Sequence, residues 1–169
     1  METDSRRSVS RVNIRPLADT DGPGLVDLFH RLSPESVYRR FFSPIHDPDA
    51  IGVAKLLDLD HRDREALAAI AGDQIVGVAR YGRLPGQSAA EMAVVVEDRW
   101  QRSGLSLRLL GGLSQLARER GITRFQAMIM PDNRAAIRMV KRAFPGASFA
   151  LEGGALLADL PLATRMAGR

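Results

Sequence analysis

Ala89-Ala90-Glu91-Met92-Ala93-Val94-Val95-Val96-Glu97 runs into Asp98-Arg99-Trp100-Gln101-Arg102-Ser103-Gly104-Leu105-Ser106. The first nine residues read as a strand with a strongly apolar second half. Trp100 to Gly104 is a turn. From Gly104 to about residue 120 the apolar positions Leu105, Leu109, Leu113, Leu116 and Ala117 fall on one helical face, and Gly121 stands where a helix C-terminal glycine belongs. Thr123 to Met130 is a second apolar strand. Strand, helix and strand in this order predict a parallel βαβ unit.

Upstream, Val12-Asn13-Ile14-Arg15-Pro16 reads as a short strand ended by its proline. Asp19 or Asp21 is placed to cap a helix running to about Arg31, with Leu25, Leu28, Phe29 and Leu32 on one face. Ser33-Pro34-Glu35 opens a second helix, and a short third one is expected over roughly Pro48 to Leu57. Ala66–Ala71 and Ile75–Tyr81 flank a Gly72-Asp73-Gln74 turn and lead into strand 89–97 as a meander. Downstream, Pro131-Asp132-Asn133 starts a helix to about Phe144, and a hairpin around Gly153-Gly154 ends the pattern. The expected fold class is α/β: a mixed sheet, antiparallel in the middle and parallel at the βαβ unit. Residues 11–163 are expected to form one domain, with 1–10 a disordered lead-in and 164–169 a tail.

With 169 residues and 18.5 kDa, the chain has the size of one domain. Hydrophobic residues at 45% and charged residues at 26% exclude a collagen, a disordered chain or a membrane bundle. Without cysteine there is no disulfide framework, thiolate nucleophile or cysteine metal site. His30, His46 and His61 lack mutual metal-ligand spacing, so no metal is expected. METDSRRSVS has no apolar core, which argues against a secretory signal and makes the cytoplasm the expected location. Of 24 basic residues, 22 are arginine; Lys55 and Lys141 are the lysines. This is either arginine-rich codon usage or a surface for anionic ligands and acidic partners. Aromatic content of 5%, with none interleaved in a basic stretch, speaks against nucleic acid.

Two features carry chemistry. Gln101-Arg102-Ser103-Gly104-Leu105-Ser106 joins a strand to a helix N-terminus, where free N–H groups and small residues suit a pyrophosphate and Arg102 adds a charge; an ordinary βα turn would share this pattern. It is neither a P-loop nor a dinucleotide fingerprint. Glu91 lies early in an apolar strand, on the face it shares with Ala93, Val95 and Glu97. Partial desolvation there would raise its pKa toward that of a general base, the alternative being a strand-end glutamate in water.

The segment from Gln101 to Ser106 resembles the acyl-CoA motif of the GNAT superfamily of N-acyltransferases, Gln/Arg-x-x-Gly-x-Gly/Ala, with Gln101, Gly104 and Ser106 at the marked positions. The element order over about residues 12–160 resembles the GNAT order as well, as do Asp98-Arg99-Trp100-Gln101, Arg118-Glu119-Arg120-Gly121-Ile122 and Asp132-Asn133-Arg134-Ala135-Ala136. The resemblance implies a central sheet of six to seven strands with about four helices, and acetyl-CoA as co-substrate without a metal. It implies that Gln101, Arg102, Ser103, Gly104, Leu105 and Ser106 hold the pyrophosphate. Backbone groups near Val94, Val95 and Val96 would hold the pantetheine arm and polarise the thioester between diverging strands. Asn133 matches a position that often contacts the arm, and Glu91 stands close to where several family members carry a catalytic glutamate. The tyrosine that many members use as general acid is replaced by Val140. Leu32-Ser33-Pro34-Glu35-Ser36-Val37-Tyr38-Arg39-Arg40-Phe41-Phe42, Arg62-Asp63-Arg64-Glu65-Ala66-Leu67 and Gly77-Val78-Ala79-Arg80-Tyr81 are similar to bacterial Pat-type protein-lysine acetyltransferases. This implies transfer of an acetyl or short acyl group to a protein lysine such as that of an acyl-CoA synthetase. A small-molecule amine is the alternative acceptor, and a weakly active acyl-CoA-binding regulatory module the alternative role. No membrane partner is expected, and the chain is expected to be a monomer or homodimer.

Overall fold

The computed structural model describes residues 11–42 and 52–163. The expected N-terminal lead-in, the C-terminal tail, the first part of the expected third helix and the loop carrying His46 lie outside the described residues. The elements are β1 (Asn13–Pro16), α1 (Gly22–Arg31), α2 (Pro34–Phe41), α3 (Val53–Leu57), β2 (Arg64–Ala71), β3 (Gln74–Arg83), β4 (Ala89–Val96), α4 (Leu105–Glu119), β5 (Arg124–Ile129), α5 (Arg134–Ala143), β6 (Ser148–Glu152) and β7 (Ala155–Pro161). Short 3-10 turns at Asp19–Asp21 and Asp98–Trp100 precede α1 and α4. The protein is thus mixed α/β, with five helices among the described residues where about four were expected; α3 is a helix of five residues.

The seven strands form one sheet in the order β1-β2-β3-β4-β5-β7-β6. Every pairing is antiparallel except β4 with β5. That parallel pairing is short: Ala89 faces Arg124, Ala90 faces Phe125 and Glu91 faces Gln126, and there it stops. Beyond Glu91 the strand stays paired with β3 as far as Val96, while β5 stays paired with β7 through Ile129. The sheet is therefore split along its centre, between the second halves of β4 and β5.

Helices cover both faces. On one, Leu105, Leu109, Leu110 and Leu113 of α4 pack against Val76, Ala79, Tyr81, Met92 and Phe125, with Val140 of α5 and Phe144 just after that helix. On the other, Leu25 and Leu28 of α1 join Leu17, Ala66, Ala68 and Ile75. A register shift at Ala69/Ile70 leaves Val76 as an extra residue in β3. Next to it, a Cβ on Gly77 would stand 3.2 Å from both Leu109 Cδ1 and Val95 O, so glycine is what lets α4 lie close on the sheet.

The helix starts are set locally. Ser33 caps α2 by accepting from the Ser36 amide at 3.2 Å, with Pro34 in the first turn. Asp21 stands at the N-cap position of α1 but does not cap it as expected. Its carboxylate instead takes both Nη groups of Arg15 at 2.7 and 2.8 Å and the Ala18 amide at 2.7 Å, because a bidentate guanidinium outcompetes a single helix amide. Arg134, Arg138 and Arg142 form an exposed stripe along α5. Lys141 on that helix holds its ammonium 5.5 Å from the Phe149 ring, and Lys55 lies on α3. No helix among the described residues is long and apolar enough to cross a membrane.

Candidate active site

The residues singled out in the sequence converge on the split. Glu97 N–H donates to Val76 O at 2.9 Å and Ala89 O accepts from Leu84 N–H at 2.9 Å, so the odd-numbered residues of β4 turn their backbone toward β3. By alternation, Met92, Val94 and Val96 turn theirs toward the split. Val94 and Val96 therefore turn their backbone groups to the opening, while Val95 turns its amide to β3 and its side chain to the α1–α3 face. Val96 O is engaged by the Gln101 amide nitrogen at 3.1 Å.

At the end of the split lies the turn into α4. Arg102 and Gly104 adopt left-handed backbone conformations, φ 61° and 85°, on either side of Ser103. Such alternation curls successive amides into a concave, anion-seeking nest. Arg108 N–H makes the first return bond, to Gly104 O at 3.2 Å, so the amides of Gly104, Ser106 and Leu107 precede the ladder. The Leu105 amide is shared with Ser103 Oγ at 3.4 Å, while the Ser103 hydroxyl donates to Trp100 O. The side chains of Gln101 and Ser103 thus build the turn, and the backbone faces outward with the exposed Arg102 beside it. Asn133 lies at the N-cap of α5; its Oδ1 accepts from the Ala136 amide at 3.2 Å and from Arg39 Nη1 at 3.3 Å. Arg39 reaches it from α2, which packs on β4, so this contact ties the two sides of the split together.

Glu91 sits where pairing between β4 and β5 ends. The partial burial expected for it is absent: Glu91 is exposed. Alternation identified its face correctly, but that face does not bury it, although Ala89 and Ala90 just before it are buried. Of the two tyrosines, Tyr81 is fully buried on the α4 face, with its hydroxyl donating to Arg62 O at 2.8 Å, and Tyr38 is 41% exposed on α2. Val140 is buried in the core. His61 Nδ1 lies 2.8 Å from Glu65, and among the described residues no cluster of three His, Asp or Glu side chains could hold a metal.

Sequence reading missed the network that fixes the end of β4. Asp98 accepts from the Ser33 amide at 3.0 Å, the Ser33 hydroxyl at 2.6 Å and the Ser36 hydroxyl at 2.9 Å, and Gln101 Nε2 reaches Ser36 Oγ at 3.2 Å. Burial pushes the Asp98 carboxyl up, but these hydrogen bonds outweigh it and hold the group below the usual carboxylate range. Glu97, 4% exposed, takes Arg31 Nε at 3.1 Å and Arg99 Nε at 2.7 Å. Apart from Arg99, these partners lie more than sixty residues apart in the chain and leave no local signal.

Comparison with known proteins places this fold in a family. The family described as "Acetyltransferase (GNAT) family" matches residues 26–144. The chain belongs to the GNAT acetyltransferase family. It is 29% identical over 128 residues to the acetyltransferase PA5475 of Pseudomonas aeruginosa, covering 73% of this chain and 69% of that protein. It is 29% identical over 133 residues to the acetyltransferase Pat of Mycolicibacterium smegmatis, covering 76% of this chain and 39% of Pat. The crystal structure of the GNAT domain of S. lividans PAT superimposes with a TM-score of 0.84 at 32% identity, covering 89% of this chain and 90% of that one. The protein is thus an acetyl-CoA-dependent GNAT acetyltransferase. Its exposed nest and split strands fit an elongated anionic thioester: the amides suit the phosphates, and the open backbone of Val94 and Val96 suits an amide-bearing arm.

Proposed function

We propose that this GNAT acetyltransferase, folded as one domain over residues 11–163, transfers the acetyl group of acetyl-CoA to a lysine side chain of an acceptor protein, of the acyl-CoA synthetase class. The observation that carries this reading is the exposure of Glu91 beside the split. A carboxylate there is open to a long side chain presented by another protein, whereas a small amine calls for an enclosing pocket. The likeness to proteins named Pat supports the same choice.

Acetyl-CoA supplies an activated thioester. Gly104, Leu105 and Ser106 hold its phosphates through their amides, and Arg102 adds a cation. Gln101 and Ser103 hold the turn in shape. Val94 and Val96 present N–H groups to the thioester carbonyl, where negative charge develops. Asn133, fixed by Arg39, borders the arm. Glu91 takes a proton from the attacking ammonium, directly or through a water, which matters because a free lysine with a pKa near ~10.4 is almost wholly protonated at neutral pH. Attack of the deprotonated amine on the thioester carbonyl is direct, since no cysteine is present to carry the acyl group; the C–S bond then breaks and CoA leaves as a thiolate that takes its proton from water.

Radiolabelled acetyl-CoA offered to an acyl-CoA synthetase, to a cell lysate and to a panel of small amines tests this. Lysine labelling of protein is expected. If small amines turn over efficiently while no protein is labelled, the acceptor is a small molecule; thiol release with neither would leave only a hydrolase or binding role.

A further inference from the structure

On the α4–α5 face a groove of about 350 Å³ lies between α4 and the end of α5, closed by the chain from Pro161 to Ala163. That volume falls in the range of small-molecule sites, roughly 300–1,000 Å³. Its lining is part apolar and part polar. Leu107, Gly111, Ser114 and Arg118 recur every three or four residues, so they form one stripe along α4, roughly 16 Å long, which grades from apolar to charged. Leu110, Phe144 and Leu162 add apolar surface, and Arg142 faces the groove from the last turn of α5.

Three polar side chains of this groove have no partner. Ser114 is 7% exposed, and its hydroxyl makes no hydrogen bond among the described residues. The sealed, unbonded polar atoms among those residues are Trp100 Nε1 and Asp159 Oδ1; the Ser114 hydroxyl is not sealed, so it opens into the groove that it lines. A hydroxyl held this deep costs stability unless something outside the chain bonds to it. The guanidinium groups of half-buried Arg118 and exposed Arg142 likewise make no hydrogen bond or ion pair among the described residues. Each stands in the last turn of its helix, where the dipole holds a cation without an internal partner.

Gly111 points the same way. Glycine destabilises a helix interior, and its neighbour Gly112 has a reason to be there: a Cβ on it would stand 3.0 Å from Leu67 Cδ1. A Cβ on Gly111 would meet nothing within 4 Å. No contact within the chain calls for glycine at this position, whereas a ligand lying against the helix between Leu107 and Ser114 does.

We propose that this groove binds a small organic acid with an aliphatic chain, its carboxylate held by Arg118 and Arg142 and its chain laid over Gly111 toward Leu107 and Leu110. Two forked donors suit a planar carboxylate, and the Ser114 hydroxyl, one helical turn from Arg118, supplies a third donor. The tail that follows Ala163 is no substitute for such an anion, because it carries two more cations, Arg165 and Arg169. Arg118 lies roughly 21 Å along α4 from Gly104, so the carboxylate end is separate from the nest.

Calorimetry with octanoate, octanamide and acetate, at saturating CoA so that the split is filled, tests this. Octanoate should bind about 10-fold or more tightly than either comparator, since octanamide lacks the charge and acetate lacks the chain. Arg118→Gln and Arg142→Gln should each weaken octanoate, and the double variant should bind it no better than octanamide. Ser114→Ala should weaken it less than either arginine variant does. Gly111→Leu, which places a side chain in the groove, should abolish octanoate binding. All of these variants should keep the CoA affinity of the wild type, which shows that they fold. Octanoate bound no more tightly than octanamide by the wild type, or an octanoate affinity unchanged in the double variant or in Gly111→Leu, overturns the proposal. So does loss of octanoate binding once CoA is bound, which would give the groove to the cofactor.

Discussion

At the scale of single residues, Glu91 and Gly104 make separable contributions. Glu91→Gln removes the proposed proton acceptor and leaves the cradle untouched. Its kcat should fall by about 10²–10⁴-fold, the range of a general base, with CoA affinity by calorimetry unchanged. A normal rate at neutral pH would assign proton removal elsewhere. Gly104 is different: nothing lies within 4 Å of a Cβ built on it, so the constraint is its φ of +85° and not space. Gly104→Ala should cost about 1 kcal/mol of stability through left-handed strain. Gly104→Glu adds a carboxylate where phosphates are to bind and should abolish CoA binding in a protein that still folds; retained affinity would remove the nest from its role.

Among the elements, the hinge of the site is the contact between α2 and the end of β4. Ser33 and Ser36 on one side and Asp98 and Gln101 on the other make one hydrogen-bonded unit. Asp98→Asn keeps the shape but loses the charge, and should lower stability by about 1 kcal/mol, kept small by solvent exposure. That is roughly 2–4 °C in melting temperature for a domain of this size. The sign of the pH dependence follows from the depressed carboxyl. Its stabilisation is full above the ordinary carboxylate pKa near ~3.9 and is lost as pH falls through the lower folded value. The gap between variant and wild type should therefore close below about pH 4; a gap constant down to pH 2 would mean that the charge is not what matters. This element also shows what a sequence can and cannot reveal. Strand 89–97 and helix 104–120 were visible because alternation and 3.6-residue spacing are local and run over many residues. The split was expected through resemblance, since nothing in β4 itself says where pairing ends. Glu91's face was legible, but its depth was not, because depth depends on what covers the strand end. The role of Asp98 was invisible: its partners Ser33 and Ser36 come to it only when α2 folds back over the sheet.

Taken as a whole molecule, the protein has a net charge of +4 carried by an excess of arginine. A surface of this kind speeds encounter with an acidic partner and does so less as salt screens it. Rates on a protein acceptor should fall as ionic strength rises from about 0.05 to 0.5 M, while rates on a neutral small amine should change less; identical salt profiles would separate the surface charge from acceptor docking.

The placement of Lys55 on α3 and of Lys141 over the Phe149 ring on α5 has a practical corollary. If the acceptor is lysine, as proposed, the enzyme is exposed to its own chemistry, and one rich in lysine would mark itself across its surface. This chain has substituted arginine nearly everywhere, and an arginine cannot take the acetyl group in place of an amine. Lysine self-modification would then fall on two side chains on two helices, Lys55 and Lys141. Lys141 is the easier to follow, because acetylation would remove the cation from the face of the Phe149 ring. In a radiolabelling gel the enzyme's own band would stay faint, and the signal would belong to whatever it acts upon.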